Sequence, residues 1–351
     1  MEFSQEVESK LTIKLRMLQN ELPPFMREFF RANLESTSIR TRVGYAFDLR
    51  LFFEYLTSEY GIFQEKKVQE IKIEELELIT PSVIDEFLEY ITYYTKVNKS
   101  GKKVKYKNKE KGKSRKLASI RAMLKYFYKR EKIKSNSGEL VQTPKIYEKP
   151  IVRLETDEIV KLLDEVEFGK NLTGNRKKWH EHTKIRDLAI ITLMLGTGMR
   201  VSECCGININ DIDFNVNGVK ITRKGGNQAI LYFGNEVRNA LVNYIDTRNE
   251  FKMKYENEEA LFLSMKGTRI TVRAIQYLVK KYSSLVTTLK NISPHKLRST
   301  YGTELYNKTG DIYLVADVLG HKDVNTTRRH YAEMDDSRRR AAAKYIKLRD
   351  N

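Results

Sequence analysis

Several residues in the second half of the chain have side chains suited to breaking a phosphodiester bond. They are Arg200, His295, Arg298, His321 and Tyr331. Cationic side chains can neutralise the charge that develops on a phosphate as it reacts, so such a set predicts phosphate chemistry without a metal ion. A single arginine usually makes a surface ion pair and a single tyrosine usually packs in a core. The prediction therefore depends on the ordered set.

The candidates lie where helices are predicted to begin or end. Arg200 directly follows the glycine-rich residues 196–198, at the opening of the next helix. His295 and Arg298 are three residues apart on a helix that begins with serine and proline, so they share one face. Gly320 ends a further helix, and the histidine that follows it can leave that helix and enter a site.

Two other routes to phosphate chemistry lack their motifs in this sequence. No cluster of closely spaced carboxylates could hold two magnesium ions. No glycine-rich loop ends in the Gly-Lys-Ser or Gly-Lys-Thr that binds nucleotide phosphates. His180 and His182 flank Trp179 in a polar stretch, but no third metal ligand is evident and a loop is the better interpretation. We therefore expect no metal and no cofactor.

The composition favours a protein that binds nucleic acid. A chain of 351 residues is longer than one hydrophobic core usually serves, which predicts two domains. The formal net charge of +18 must be balanced by a polyanion or tolerated as self-repulsion. Nucleic acid is the usual partner, with an anionic membrane surface or simple solubility as alternatives.

The sequence also predicts a cytoplasmic location. No stretch approaches the roughly 20 apolar residues that cross a bilayer, and the first residues lack the basic and apolar regions of a secretory signal. Cys204 and Cys205 are neighbours in sequence, a poor arrangement for a disulfide. They are predicted to be small buried residues in a reducing compartment.

The N-terminal part has the pattern of a helical domain. Apolar residues at helical spacing predict one helix over 39–57 and another over 114–131. Between them Thr80, which precedes a proline, begins a third helix. Periodicity is lost around 134–150, where serine, glycine and proline are typical of a linker. The predicted organisation is a DNA-binding domain over 1–135, a linker over 136–152 and a catalytic domain over 153–351.

A strongly basic segment precedes the last of these helices. Residues 99–109 have no hydrophobic period, so a loop is predicted. It is interpreted either as a solvated linker or as a flexible arm that binds phosphates. The arm is favoured because the helix after it carries a basic stripe of the same sign. The predicted DNA-binding residues are Arg42, Lys102, Lys103, Lys105, Lys107, Arg121, Lys125 and Lys129.

The C-terminal domain is predicted to mix helices with a hairpin. The segment 188–195 is apolar on every side, as in a central buried helix. Residues 218–233 alternate around a turn that contains glycine, which predicts a β-hairpin. Further helices are predicted over 235–250, 272–285, 295–306 and 312–319, and from 337 to the end of the sequence.

Four segments together resemble the tyrosine recombinase (phage integrase) family, Xer type. They are residues 196–203 (GTGMRVSE), 295–298 (HKLR), 319–323 (LGHKD) and 326–331 (TTRRHY). Their order and spacing are highly specific, whereas the N-terminal part is similar only by pattern. The resemblance implies a mainly α, two-domain DNA clamp. In it a helical core-binding domain joins an α+β catalytic domain with a small β-hairpin or sheet.

The resemblance also implies how the phosphate is bound. Arg200 and Arg298 would hold the two non-bridging oxygens of the scissile phosphate, because guanidinium forks suit that geometry. His321 would hydrogen-bond the same group.

The proton transfers and the nucleophile follow from the same resemblance. Lys224, in the hairpin turn, would protonate the departing 5′ oxygen, with Arg223 and Lys220 as the alternatives for that role. His295 would assist proton transfer at Tyr331, which would attack and leave a 3′-phosphotyrosine link. That link keeps the energy of the broken bond, so rejoining needs no ATP.

Two other functions remain open at this point. Type IB topoisomerases share this chemistry, and a non-catalytic DNA-binding protein could have the same fold, although simple binding does not need the complete reactive set. A terminal helix from Ser337, with Tyr345, Ile346 and Leu348, needs a surface to cover it. In the family such a helix docks on a neighbouring protomer, and packing on its own domain is the alternative. We expect a site-specific recombinase that binds double-stranded DNA as a dimer per site and a tetramer in the synapse.

Overall fold

The computed structural model describes residues 3–97, 100–146, 151–223, 226–250, 258–321, 323–325 and 327. The chain divides into two compact units, Met1–Lys149 and Pro150–Asn351. Both are mainly helical with small antiparallel sheets, so the predicted fold class is confirmed. Among the described helices, none combines the length and apolar character that a bilayer crossing requires.

The first unit is built from helices around a core of phenylalanines. Phe29, Phe52, Phe53, Phe87 and Phe127 are fully buried, and aromatic rings of this size dominate the energetics of a core. The helices are α1 (Phe3–Gln19), α2 (Met26–Ala32), α3 (Ile39–Leu56), α4 (Pro81–Tyr90), α5 (Glu110–Lys129) and α6 (Ser137–Leu140), with short 3₁₀ turns at Val68–Glu70 and Ile73–Leu78.

Helices α3, α4 and α5 confirm the predictions for this unit. The hydroxyl of Thr80 accepts a hydrogen bond from the N–H of Val83 and begins α4. Asp48 on α3 is buried and accepts from Arg115 at 2.6 Å and from Ser119 at 2.9 Å, both on α5. Burial raises the pKa of the Asp48 carboxyl, and these contacts oppose the shift.

A β-hairpin replaces the loop predicted over 99–109. Strand β1 (Tyr93–Val97) pairs antiparallel with strand β2 (Lys103–Lys107). The prediction was wrong because the lysines of β2 alternate with Val104 and Tyr106, so their charges fall on one face of a strand. On the other face Tyr106 stacks on Tyr94 with ring centroids 5.2 Å apart.

The beginning of the predicted linker 136–152 is an ordered part of the first unit. The guanidinium of Arg121 on α5 donates to the carbonyl of Gly138 and to the hydroxyl of Thr143, both at 2.8 Å, and to the carbonyl of Val141. The linker start was therefore placed too early, because polar residues that lack periodicity are here held by one long side chain. Arg121 is also a predicted DNA-binding residue, and that role stays a prediction.

The second unit is built around a long central helix, α8 (Gly174–Thr197). Its helices are α7 (Thr156–Phe168), α8 (Gly174–Thr197), α9 (Val201–Gly206), α10 (Asn235–Arg248), α11 (Val272–Val286), α12 (Pro294–Thr309) and α13 (Ile312–Leu319). A sheet of β3 (Ile212–Asp213), β4 (Gly218–Thr222) and β5 (Gln228–Tyr232) has the order β3-β4-β5 and is antiparallel. α8 packs against α7, α10 and α12. The predicted hairpin and the predicted helices that correspond to α10 through α13 are confirmed.

The loop predicted around His180 is wrong, because this residue lies within α8 and is buried in a polar network. Nδ1 of His180 is 3.0 Å from the hydroxyl of Tyr282, which donates to Asp187 at 3.0 Å. Thr183 donates to the same carboxylate at 2.9 Å, and Lys281 donates to the Tyr282 hydroxyl at 2.8 Å. Burial, followed by the charge of Lys281, lowers the pKa of His180.

We expect this histidine to make the second unit less stable as the pH falls. An unfolded histidine has a pKa of about 6.5, so with a lowered pKa in the folded state the unfolded chain binds the proton first. The stabilising contribution is complete above about pH 6.5 and is lost as the pH falls towards the lowered folded pKa. Urea unfolding between about pH 8 and about pH 5 should show a flatter profile for His180→Gln than for wild type. His182→Gln, on the exposed side of the helix, serves as the control, and equal profiles for wild type and His180→Gln would contradict the prediction.

Candidate active site

Three of the described candidates, Arg200, Arg298 and His321, meet at the C-terminal end of α13. The helix stops at Gly320, whose φ of +62° lies in the left-handed region that favours glycine. The N–H of Gly320 donates to Asp317 at 2.8 Å and that of His321 to Ala316 at 2.9 Å, as in a Schellman motif. Carbonyls at the end of a helix lack intrahelical partners, and here arginine side chains supply further donors.

Arg298 connects the ends of two helices. It lies on α12 and its side chain is buried. Nη1 donates to the carbonyl of Gly198 at 2.8 Å, and Nη2 donates to the carbonyl of Leu319. Gly198 ends α8 and Leu319 ends α13, so a single guanidinium joins segments that are far apart in sequence. A buried charge needs such acceptors, because an unpaired one would be strongly destabilising.

Arg200 is held from two sides at the beginning of α9. Its N–H donates to Glu203 Oε2 at 2.7 Å and its Nη1 donates to Oε1 at 2.8 Å, while the Glu203 side chain is only 3% exposed. Nη2 lies 3.4 Å from the carbonyl of Gly320. Arg298 contacts the carbonyl of Leu319 and Arg200 faces the carbonyl of Gly320, the next residue. The two guanidinium groups therefore meet at consecutive carbonyls of one helix end.

Gly198 leaves no room for a side chain at this junction. Its φ is +63°, and a Cβ would lie 2.4 Å from Cδ1 of Tyr301 and 2.9 Å from Cδ2 of Leu319. The glycine break at 196–198 therefore lets the end of α8 approach α12 and α13 closely. Arg298 can reach the carbonyl of Gly198 because of this approach.

The two histidines have different surroundings. His295 is exposed in the first turn of α12, one turn before Arg298. His321 is half-buried, and its Nδ1 lies 2.8 Å from the hydroxyl of Thr327, which is fully buried. This contact sets the orientation of the ring and leaves Nε2 on the side away from Thr327.

The site is suited to an oxyanion. The partial negative charge at the C-terminal end of α13 offsets repulsion between the guanidinium groups of Arg200 and Arg298. Guanidinium and imidazole groups placed together bind phosphate well. Within the described part of the chain, no group of three or more histidine, cysteine, aspartate or glutamate side chains could hold a metal ion.

The sequence also matches a known family. The model of the phage integrase family matches residues 152–338, which is more than half of the chain. The chain belongs to the phage integrase family. Over 328 residues it is 32% identical to the tyrosine recombinase XerC of Caldanaerobacter subterraneus subsp. tengcongensis, covering 91% of this chain and 86% of that relative. The resemblance to tyrosine recombinases is thus confirmed.

Solved structures of integrase-family proteins share the fold. The XerH site-specific recombinase, bound to palindromic difH substrate in a post-cleavage complex, is similar with a TM-score of 0.63 and 21% identity, covering 88% of this chain and 80% of that one. The Tn1549 transposon integrase in complex with a circular intermediate DNA has a TM-score of 0.64 and 18% identity, covering 91% and 98%. At these identities the similarity concerns the fold.

Two predicted site residues of this tyrosine recombinase, Lys224 and Tyr331, lie outside the described residues. The terminal segment 337–351 lies outside them as well. Their roles stay predictions. Arg223, predicted only as an alternative to Lys224, contacts the end of α13 by donating from Nη2 to the carbonyl of Val318 at 3.0 Å. Its position next to a predicted site residue was the only signal for it in the sequence.

The predicted DNA-binding residues of the recombinase fall into two groups. Exposed positions on the hairpin and on α5 are Lys102, Lys103, Lys105, Lys107 and Lys129. The others are engaged within the first unit or partly buried. Lys125 lies 3.6 Å from Glu139, Arg42 is half-buried, and Arg121 holds the segment after α6.

We expect Gly198→Ala to lower the free energy of unfolding of the second unit by about 1–3 kcal/mol, because the new methyl group meets Tyr301 and Leu319 and the backbone is left-handed. Gly310→Ala is the matched control. Gly310 also ends a helix with a left-handed φ of +74°, but no atom lies within 4 Å of its added Cβ. It should cost only about 1 kcal/mol. Urea unfolding of both variants checks this, and equal losses would contradict the packing constraint.

Proposed function

We propose that this tyrosine recombinase cuts and rejoins double-stranded DNA at specific sites through a covalent link to Tyr331. One observation carries the proposal. Arg200 and Arg298, from different helices, reach consecutive carbonyls at the end of α13, directly before His321. Two guanidinium groups beside an imidazole match the charge and shape of a phosphodiester.

The arginines bind the scissile phosphate and stabilise the charge that develops on it. Arg200 and Arg298 hold the two non-bridging oxygens, and His321 hydrogen-bonds the same group. Contacts with Glu203 and with the backbone carbonyls orient the guanidinium planes before DNA binds. Donors that are already oriented need little reorganisation in the transition state, and this is the main source of their catalytic effect.

Proton transfers complete the reaction. The Tyr331 oxygen forms a bond to phosphorus as the bond from phosphorus to the 5′ oxygen breaks. His295 takes the proton of the tyrosine hydroxyl, and Lys224 gives a proton to the departing 5′ oxygen. Rejoining reverses these steps when a 5′ hydroxyl attacks the 3′-phosphotyrosine. The chemistry draws on no cofactor.

Strand exchange requires more than one copy of the chain. We infer a dimer on each recombination site and a tetramer in the synapse, because two duplexes must be cut and their strands passed between subunits. The apolar residues Tyr345, Ile346 and Leu348 of the terminal segment link neighbouring subunits in this assembly. The reaction takes place in the cytoplasm, where the DNA substrate lies.

The basic hairpin of the first unit supplies contacts to the DNA backbone. Lys103, Lys105 and Lys107 are exposed on one face of β2, with neighbouring lysines about 6.6 Å apart along the strand. Lys96 on the opposite face is instead paired with Glu54 at 2.5 Å. Tyr94 stacks on Tyr106 within the hairpin and lies against Tyr90 of α4 with ring centroids 5.6 Å apart, so the lysine face is presented to solvent as a row. Such a row suits a phosphate backbone.

We expect Tyr331→Phe to abolish the covalent protein–DNA adduct while DNA affinity stays within about twofold of wild type, because the hydroxyl is the nucleophile and the cationic contacts remain. The probe is a duplex recovered by binding selection from random-sequence DNA and nicked beside the cleaved phosphate. Tyr313→Phe, which removes an exposed hydroxyl on α13, should form the adduct normally. An adduct with the Tyr331→Phe protein would overturn the proposed function.

We expect Lys105→Gln to flatten the salt dependence of DNA binding by up to about 0.9 in the slope of log K against log salt, the value for one phosphate contact. Lys96→Gln removes the same charge from the opposite face of the hairpin, where it is already paired with Glu54, and should leave the slope unchanged. Titrations of the selected duplex at several salt concentrations measure both slopes. A wild-type slope for Lys105→Gln would rule out the hairpin contact.

A further inference from the structure

Arg223 begins the turn of the hairpin in the second unit. It directly follows β4, and the pairing of β4 with β5 ends at Thr222 and Gln228. Its N–H donates to the carbonyl of Asn227 at 2.7 Å, and its carbonyl accepts from the N–H of Gly226 at 3.1 Å. These bonds close the turn at Arg223. The next residue in sequence is the proposed proton donor.

The Arg223 side chain reaches from the turn to the end of α13. Nη2 donates to the carbonyl of Val318 at 3.0 Å and lies 3.5 Å from that of Asp317. The guanidinium also covers Gly320, where an added Cβ would lie 2.1 Å from Nη1 and 2.4 Å from Cζ. The base of the hairpin is thus joined to the helix end by hydrogen bonds and by close packing against a glycine.

We propose that Arg223 is a positioning residue that sets Lys224 at the departing 5′ oxygen by tying the base of the hairpin turn to the end of α13. The inference rests on the proposed function and assigns how its proton donor is placed. The end of α13 also receives Arg200 and Arg298. The contact between Arg223 and the end of α13 therefore fixes the base of the turn relative to the helix that orients the phosphate-binding arginines. It does so just beyond the last paired residues of β4 and β5.

Arginine suits this role better than lysine. A planar fork can lie flat over Gly320 while it faces the neighbouring carbonyls of Asp317 and Val318. An ammonium group has donors but no plane, so Arg223→Lys should keep only part of the contact with the end of α13. Its loss of activity should lie between that of wild type and that of Arg223→Ala.

The test compares two versions of the selected duplex with the full-length protein. One carries oxygen and the other carries sulfur at the 5′ bridging position of the cleaved phosphate. A thiol has a pKa of about 8.5, so a thiolate leaves without receiving a proton, whereas an alkoxide needs one. Loss of the proton donor, or of its placement, therefore slows the oxygen duplex selectively.

Arg223→Ala should slow adduct formation by about 10- to 100-fold on the oxygen duplex and by less than about threefold on the sulfur duplex. Lys224→Ala should show the same selectivity, and Arg298→Ala should slow both duplexes. Gly320→Ala should show the same preferential loss on the oxygen duplex, because its methyl group displaces the guanidinium of Arg223, together with a smaller slowing of both duplexes, since the Gly320 carbonyl also receives Arg200. In the double variant Arg223→Ala/Gly320→Ala, the ratio of the adduct-formation rate on the oxygen duplex to that on the sulfur duplex should differ by less than about threefold from the ratio for Arg223→Ala alone. Gly310→Ala, with its left-handed φ in open space, should leave the ratio unchanged.

Equal slowing of both duplexes by Arg223→Ala, with wild-type DNA affinity and unfolding midpoint, would overturn the proposal and place Arg223 on the phosphate instead. Independent, multiplicative effects of Arg223→Ala and Gly320→Ala on the ratio would also overturn it. If Arg223→Ala does not fold, Arg223→Lys is used in its place. A smaller loss on the oxygen duplex is then expected, and equal slowing of both duplexes would again overturn the proposal. Failure of the proposed function is recognised separately, as an adduct formed by Tyr331→Phe on either duplex.

Discussion

The C-terminal end of α13 is hydrogen-bonded to three guanidinium groups, and the geometry of the candidate active site depends on these contacts. The carbonyls of residues 317–320 accept from Arg223, Arg298 and Arg200, which come from the hairpin, α12 and α9. The three arginines share this one helix end, although Arg298 also donates to the carbonyl of Gly198 and Arg200 also donates to Glu203. Because a helix end carries partial negative charge, it can hold several cations close together.

The two units use positive charge in different ways. In the second unit Arg298 is buried and bonded to carbonyls, so its donors are oriented before a ligand arrives. In the first unit the lysines of β2 are exposed on a ribbon and remain hydrated. Planar arginines suit a reaction that needs fixed geometry, while flexible lysines suit a long backbone that must be followed without reading its sequence.

Local signals in the sequence predicted where the helices of the site end. α13 was predicted over 312–319 and occupies Ile312–Leu319, because glycine stops are encoded within a few residues. Other features depend on partners that are distant in sequence. His180 sits in a polar stretch whose burial follows from a tyrosine on another helix, and the contact of Arg223 with Val318 spans 95 residues. Strand β2 was missed because its lysines outweigh the two alternating residues Val104 and Tyr106, and the stacking of Tyr106 on Tyr94 depends on a partner in the other strand.

The contact between Thr327 and His321 makes the orientation of the histidine ring depend on the position of one threonine. Thr327 is fully buried, its hydroxyl holds the imidazole at 2.8 Å, and it precedes Tyr331 by only a few residues in sequence. Any rearrangement that carried the nucleophile away and drew Thr327 out of its pocket would also release the histidine ring. The orientation of the imidazole therefore depends on Thr327 staying buried. Movement of this one threonine would misalign the candidate phosphate-binding histidine while the arginine contacts to the end of α13 stay in place.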